Sequence, residues 1–185
     1  MKKLLIAIAA LTTVAATPAF AETTKDFDVT ASVGSVCGAF RDGENDISVP
    51  FSDLALTPTT SVITANGTGV GYRCNSPGGF IRTITSANKG KLVRAGASAA
   101  DALNSIPFKM NHGGGSSLSF SEVSLSVDKV DTFPGAPAFL TGQTGTVTFS
   151  IPGVAVSSGN NYGAPGTSVF AGTYADTVTI SITAN

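Results

Sequence analysis

The sequence is poor in the residues that carry catalysis and metal binding. Its 185 residues include one histidine, two cysteines, two methionines and no tryptophan. Histidine is the most frequent general base, and histidine and cysteine are the usual zinc ligands. Most metal sites and the serine- and cysteine-protease triads therefore lack their side chains. We expect a protein that is not an enzyme, with no catalytic residues, no cofactor and no metal.

Charge is scarce as well. Charged residues make up 12% of the chain, and 11 basic residues against 12 acidic ones give a formal net charge of −1. Proteins that hold nucleic acid or an anionic membrane surface need a surplus of basic residues. The composition therefore argues against nucleic acid as a partner.

The remaining composition favours β-structure. Hydrophobic residues account for 42% of the chain, and 21 glycines and 9 prolines stand among many serines and threonines. Such a chain has few strong helix formers and many turn formers. Its length suits one domain of ordinary size. We therefore expect a single all-β domain.

Residues 1–21 have the pattern of a secretory signal peptide. Lys2 and Lys3 precede an apolar stretch, and Ala19 and Ala21 fit the A-x-A cleavage pattern. We predict cleavage after Ala21. No other segment is apolar for long enough to cross a bilayer as a helix, so we expect no transmembrane helix in the exported product.

The two cysteines, Cys37 and Cys74, both lie in the exported part of the chain. An even pair in an oxidising compartment usually closes into a disulfide. The less favoured alternative is a metal or redox pair, for which a spacing of 37 residues is unusual. We predict one disulfide.

Alternating apolar and polar residues predict many short strands. At the N-terminal end, Phe27, Val29, Ala31 and Val33 share one face of a predicted strand. At the other end, Tyr174, Val178, Ile180 and Ile182 share one face, and threonines and a serine occupy the other. Further predicted strands cover residues 35–40, 47–56, 66–74, 80–85, 91–94, 106–110, 120–127 and 147–151, with one weak helix at 98–103. This pattern indicates a Greek-key sandwich or a barrel.

Two loop segments contain residues that often bind ligands in other proteins. His112 precedes three glycines, and we expect it in a flexible surface turn. Asp42, Glu44, Asp46 and Asp53 imitate the start of a calcium loop, but Ile47 stands where that loop needs glycine. We predict no calcium site there.

The chain ends in Gly172-Thr-Tyr174-Ala-Asp176-Thr-Val178-Thr-Ile180-Ser-Ile182. This G-x-Y-x-D-x-V-x-I-x-I ending, the cysteine pair and the alternating N-terminal segment together resemble the spore coat protein U family, which includes subunits of archaic chaperone-usher pili. The resemblance implies an incomplete immunoglobulin-like β-sandwich that lacks its last strand. It also implies a periplasmic chaperone, an outer-membrane usher, and donor-strand exchange between identical or related subunits.

The resemblance divides the chain into a signal peptide (1–21), a donor-strand extension (22–34), which we call the leader, and a pilin-type domain (35–185). In the sequence as it stands, no strand follows 174–183 to pair with it, so we expect an open sheet edge. The expected function is a structural subunit of a pilus or surface coat, exported through the periplasm to the cell surface, with a role in adhesion or biofilm.

Other classes stay open from sequence. The length and strand number suit a small eight-stranded outer-membrane barrel, although three tyrosines and no tryptophan are few for its aromatic girdles. A secreted single-domain binding protein is another alternative. A hydrolase that uses carboxylates alone also stays open, since Asp128, Asp131 and Asp176 could meet in space.

Overall fold

The computed structural model describes residues 24, 26–40, 47–52, 54–115, 117–157 and 166–185. The chain divides into two units, Met1–Val33 and Gly34–Asn185. In the first unit, the described residues 26–33 form neither helix nor strand. The predicted signal peptide, its cleavage site and the acidic residues Asp42, Glu44, Asp46 and Asp53 lie outside the described residues.

The second unit is built from short antiparallel strands, as the composition predicts. The strands are β1 (Cys37–Phe40), β2 (Val62–Cys74), β3 (Phe80–Ser86), β4 (Lys91–Arg94), β5 (Ser105–Pro107), β6 (Lys109–Gly114), β7 (Phe120–Val123), β8 (Lys129–Phe133), β9 (Gln143–Pro152), β10 (Ala155–Val156), β11 (Gly166–Thr167), β12 (Tyr174–Ala175) and β13 (Val178–Ala184). The described residues add one helix, α1 (Pro137–Thr141), and 3₁₀ turns at Leu54–Leu56 and Ala102–Asn104. The expectation of an all-β protein is confirmed.

The strands form several antiparallel sheets. The largest has five strands in the order β1-β2-β9-β6-β7, and two smaller sheets have the orders β13-β3-β8 and β12-β4-β5. The rings of Tyr72 on β2 and Phe80 on β3 stack with centroids 6.5 Å apart, so the five-stranded sheet and the β3 sheet share a core. This arrangement is sandwich-like.

The alternation of buried and half-buried residues along β3 shows which face of this strand packs in the core. Along β3, every second residue from Phe80 to Ser86 is buried, as expected for a strand with one face inside. The ring of Phe80 stacks on that of Phe133 of β8, with the ring centroids 4.7 Å apart, and meets that of Phe139 of α1 edge-on, with the centroids 4.9 Å apart. Pro137 begins α1, where a missing amide proton costs nothing, and Gly142, with φ of +104°, ends it. The short helix thereby closes one part of the core.

Residues 27–33, predicted as a strand, form neither helix nor strand in the single chain. Two other predicted elements were wrong. The described residues of 47–56 contain a 3₁₀ turn rather than a strand, consistent with Pro50, which cannot donate to a ladder. The predicted helix at 98–103 is only a set of turns and the start of the second 3₁₀ turn.

None of the helices among the described residues is long and apolar enough to span a bilayer.

Candidate functional site

The second unit carries an open apolar groove of about 520 Å³. Its floor comes from the inner face of the five-stranded sheet, where Val70, Met110, Val147 and Phe149 lie on β2, β6 and β9. Phe108 and Leu92 extend the floor on the side of the smaller sheets. The groove therefore opens directly onto the hydrophobic core.

Two walls bound the groove. One consists of Ala39 and Phe40 of β1 with the segment 47–51, which contributes Ile47, Val49 and Phe51. The other is the start of β13, with Val178 and Ile180. Both walls are sheet edges: among the described residues, β1 pairs only with β2, and β13 pairs only with β3. An edge strand leaves every second backbone N–H and C=O without a ladder partner.

The predicted C-terminal edge residues lie where this wall forms. Val178, Ile180 and Ile182 alternate along β13 toward the core but remain only half-buried, and they pack against core residues. The intervening Thr179, Ser181 and Thr183 are exposed. The half-burial of the apolar face follows from the open groove beside it.

The tyrosine and aspartate of the chain ending anchor the last strands. The Tyr174 hydroxyl donates to the carbonyl of Phe170 at 2.6 Å, and burial raises the pKa of this phenol. Asp176 accepts hydrogen bonds from the Ser86 hydroxyl at 2.5 Å and from the Asn88 backbone N–H at 2.8 Å. These bonds tie the break between β12 and β13 to the end of β3.

The leader residues belong to the first unit and are exposed there. Phe27, Val29 and Val33 are 79%, 91% and 88% exposed, and Ala31 is exposed as well. Three large apolar side chains in water on one short segment are unusual for a soluble chain. With Ala31, they stand at alternate positions in the sequence, the spacing that a β-strand with one apolar face requires.

The predicted disulfide is confirmed. Cys37 begins β1 and Cys74 ends β2, and the two residues face each other directly in the antiparallel register. In the loop-entropy account, closing a loop of 37 residues removes about 4 kcal/mol of unfolded-state freedom. The bond fixes β1, the shortest wall of the groove, to the sheet.

The prediction for His112 was wrong. This residue lies on β6 and is 1% exposed, and its Nε2 lies 2.6 Å from the Tyr72 hydroxyl. Burial, together with the Arg82 guanidinium, lowers the pKa of His112 to about 4. Gly113 and Gly114 continue β6 instead of forming a turn, and a Cβ on Gly145 of β9 would collide with the His112 ring. The missing side chain of Gly145 makes room for the buried imidazole.

Arg82 is a second buried polar residue, and no sequence pattern singles it out. It is 1% exposed, its Nη2 donates to Asp131 at 2.7 Å, and the same nitrogen donates to the Leu118 carbonyl at 3.1 Å. Its guanidinium also lies 5.1 to 5.7 Å from the ring centroids of Phe133, Phe120 and Tyr72. Burial alone would raise the pKa of Asp131, but hydrogen bonds from Lys129 and Arg82 lower it.

The three carboxylates that could have formed a hydrolytic pair have separate partners. Asp128 pairs with Lys89 at 3.3 Å, Asp131 with Arg82 and Lys129, and Asp176 with Ser86 and Asn88. No group of three or more potential metal ligands occurs among the described residues. The groove is lined mainly by apolar side chains, and Asp176 and Thr177 also line it.

Sequence reasoning missed the groove wall at Ile47, Val49 and Phe51. The signal was present, because these three apolar residues occupy alternate positions, separated by Ser48 and Pro50. The pattern predicts a strand with its own ladder, whereas the segment lines the groove without forming a strand.

Comparison with models of known protein families gives no match for this chain, and comparison with curated protein sequences gives none either.

Proposed function

We propose that this chain is a structural subunit of a chaperone-usher type pilus or surface coat, of the spore coat protein U kind that its sequence resembles. Its β-domain is an immunoglobulin-like sandwich that lacks one strand. The leader of another subunit supplies that strand by entering the groove beside β13. The periplasmic chaperone and the outer-membrane usher are the partners that hold and then assemble such a subunit.

One observation carries the proposal: an apolar groove open to the core, with an edge strand on each side, in a chain that also exposes an apolar strip of strand period. Adding an extended segment to an exposed sheet edge is a recurrent mode of recognition, and chaperone-pilin complementation is a named example of it. The occupant is the leader of a second copy, because its alternate apolar residues match the needs of the groove.

Length and energy suit this occupant. Residues 27–33 in extended form cover about 20 Å. Burying one phenylalanine and two valines contributes on the order of 5 to 10 kcal/mol, and each ladder hydrogen bond adds about 1 kcal/mol. Because the inserted strand also completes the core of its host, its release requires partial unfolding. We expect the joint to persist kinetically.

The compartment fits the same proposal. The signal-peptide pattern directs the chain out of the cytoplasm, and the Cys37–Cys74 disulfide suits an oxidising compartment. The chain passes through the periplasm to the cell surface, where it contributes to adhesion or biofilm. It performs no catalysis in this role.

A substitution in the leader tests the proposal. Val29→Arg places a charge on the apolar strip, so the ladder of oligomers on unboiled gels should disappear while the folded monomer remains. Thr30→Arg is the matched control, because Thr30 is the adjacent residue and would lie on the opposite face of the inserted strand. The ladder of oligomers on unboiled gels should persist in this variant. An unchanged ladder with Val29→Arg would reject the leader as the donor.

A further inference from the structure

Asn75, which directly follows β2, binds the chain where it enters the domain. Its side-chain Nδ2 donates to the Gly34 carbonyl at 2.8 Å, and its Oδ1 accepts from the Val36 N–H at 2.6 Å. Its backbone N–H donates to the Val36 carbonyl at 3.1 Å. One residue thus occupies three backbone groups within residues 34–36, a segment that contains no turn.

Four strand termini meet at this end of the domain. β1 begins opposite the end of β2, and β13 ends opposite the start of β3, where Ala184 pairs with Phe80. The Ser76 hydroxyl donates to the Asn185 carbonyl at 2.8 Å and joins the two ends. β13 therefore runs toward the end at which Gly34 lies, and β1 runs away from it.

This topology separates two ways of filling the groove. A leader that entered the groove of its own domain would have to reverse within residues 34–36, form a hairpin with β1 and run parallel to β13. A leader from a second copy is free to run antiparallel to β13. That direction suits the better edge, because β13 offers seven residues and β1 only four, and antiparallel pairing is slightly more stable.

We propose that Asn75 is a positioning residue that prevents the leader from turning back into the groove of its own domain and so keeps it available to a second copy. The inference rests on the proposed function of the groove. The hydrogen bonds of Asn75 fix residues 34–36 beside the end of β2, directly before β1, and a hairpin reversal at those residues breaks them. Gly34 can adopt turn conformations that other residues rarely adopt, and Val36 is mostly exposed, so its side chain does not oppose the reversal.

The test compares variants of the chain from Glu22 to Asn185 after refolding at low concentration with the disulfide formed. Monomer and oligomer are separated, and hydrogen exchange of residues 27–33 is measured in the monomer. Wild-type monomer should show unprotected leader amides and should convert to oligomers when concentrated. In Asn75→Ala, monomer with a protected leader should increase roughly tenfold, the effect of losing one or two hydrogen bonds of ordinary net strength.

Two further variants make the result specific. Asn75→Asp keeps an acceptor for Val36 and loses the donor to Gly34, so it should lie between wild type and Asn75→Ala. Asn185→Ala removes a carboxamide at the same end of the domain, one that contacts Gly78 and not residues 34–36, and it should behave as wild type.

The outcomes distinguish this inference from the proposed function. If wild type forms oligomers and Asn75→Ala forms them equally, with an unprotected leader in its monomer, the role of Asn75 is refuted and the proposed function stands. If wild type forms no oligomer at any concentration, the proposed function itself fails. Should Asn75→Ala not fold, Asn75→Asp decides in its place: more monomer with a protected leader than in wild type supports the inference, and behaviour identical to wild type overturns it.

Discussion

The ion pair between the buried Arg82 and the partly buried Asp131 places a charged group inside the core. Removing one partner of a buried pair leaves the other charge without compensation, which costs about 3 to 5 kcal/mol. If Asp131 is removed, Arg82 keeps only the Leu118 carbonyl and its aromatic neighbours as partners.

Asp131→Ala should therefore lower the free energy of unfolding by about 3 to 5 kcal/mol, measured by chemical denaturation. Asp128→Ala is the matched control, since its pair with Lys89 is exposed and should contribute less than about 1 kcal/mol. Equal losses from the two substitutions would contradict the assignment of Arg82 as a buried, dependent charge.

His112 gives the domain a pH dependence with a defined sign. Its folded pKa of about 4 lies below the ordinary value of 6.5, so between these values the unfolded chain binds a proton that the folded chain does not. Stability should fall as the pH is lowered from about 6.5 toward 4. Arg82 and Asp131 are the charged groups that shift the pKa of this imidazole, and the Tyr72 hydroxyl lies 2.6 Å from its Nε2.

Between about pH 7.5 and about pH 5, His112 should account for about 2 kcal/mol of lost stability. His112→Gln should remove this loss, whereas Tyr72→Phe, which keeps the imidazole, should retain it. Because His112 is the only histidine, thermal or chemical unfolding at the two pH values measures the effect directly. An identical pH dependence in His112→Gln would contradict the assignment.

Residue roles differed in how far the sequence could predict them. The disulfide was predictable, because two cysteines in an exported chain usually form a disulfide with each other. The burial of His112 was not, because it depends on the Tyr72 hydroxyl 40 residues away and on the missing side chain of Gly145. The same holds for Arg82, whose partner Asp131 lies 49 residues away on another strand.

At the scale of elements, strands with one apolar face were predictable and strands with polar inner faces were not. The predicted strand over 80–85 matches β3, whereas the single strand predicted over 174–183 is divided into β12 and β13, which lie in different sheets. The strand β8 was missed because two of its three inward residues, Lys129 and Asp131, are charged and give no apolar stripe in the sequence. Asp131 forms ion pairs with both Arg82 and Lys129. The leader shows the converse, because its described residues 26–33 have the strand pattern in sequence but form no strand in the single chain.

The edge strand β13 carries the acceptor side of the proposed joint. Ile180 lines the groove and Ser181 faces away from it. Ile180→Arg should abolish the oligomer ladder on unboiled gels, because the charge would enter a groove that opens onto the core. Ser181→Arg should leave the ladder intact. Loss of oligomers in both variants, or in neither, would exclude the inner face of β13 as the binding wall.

At the scale of the whole molecule, the proposed joint pairs an unfinished sheet edge in one copy with an unpaired strand pattern in another. The all-β class followed from composition and alternation. The groove did not, since its walls at 39–40, 47–51 and 178–180 are distant in sequence and meet only in the fold. The alternating pattern of the leader could be recognised from the sequence, and it indicated an apolar strand face available to another subunit.

Isotope-resolved cross-linking tests this joint most directly. A chain with benzoylphenylalanine in place of Phe27 and uniform heavy nitrogen is mixed with unlabelled chain during assembly and then illuminated. We predict cross-linked peptides that join the heavy leader to light residues of the groove or of β13. Cross-links found only within heavy chains, or none to the groove, would contradict the account.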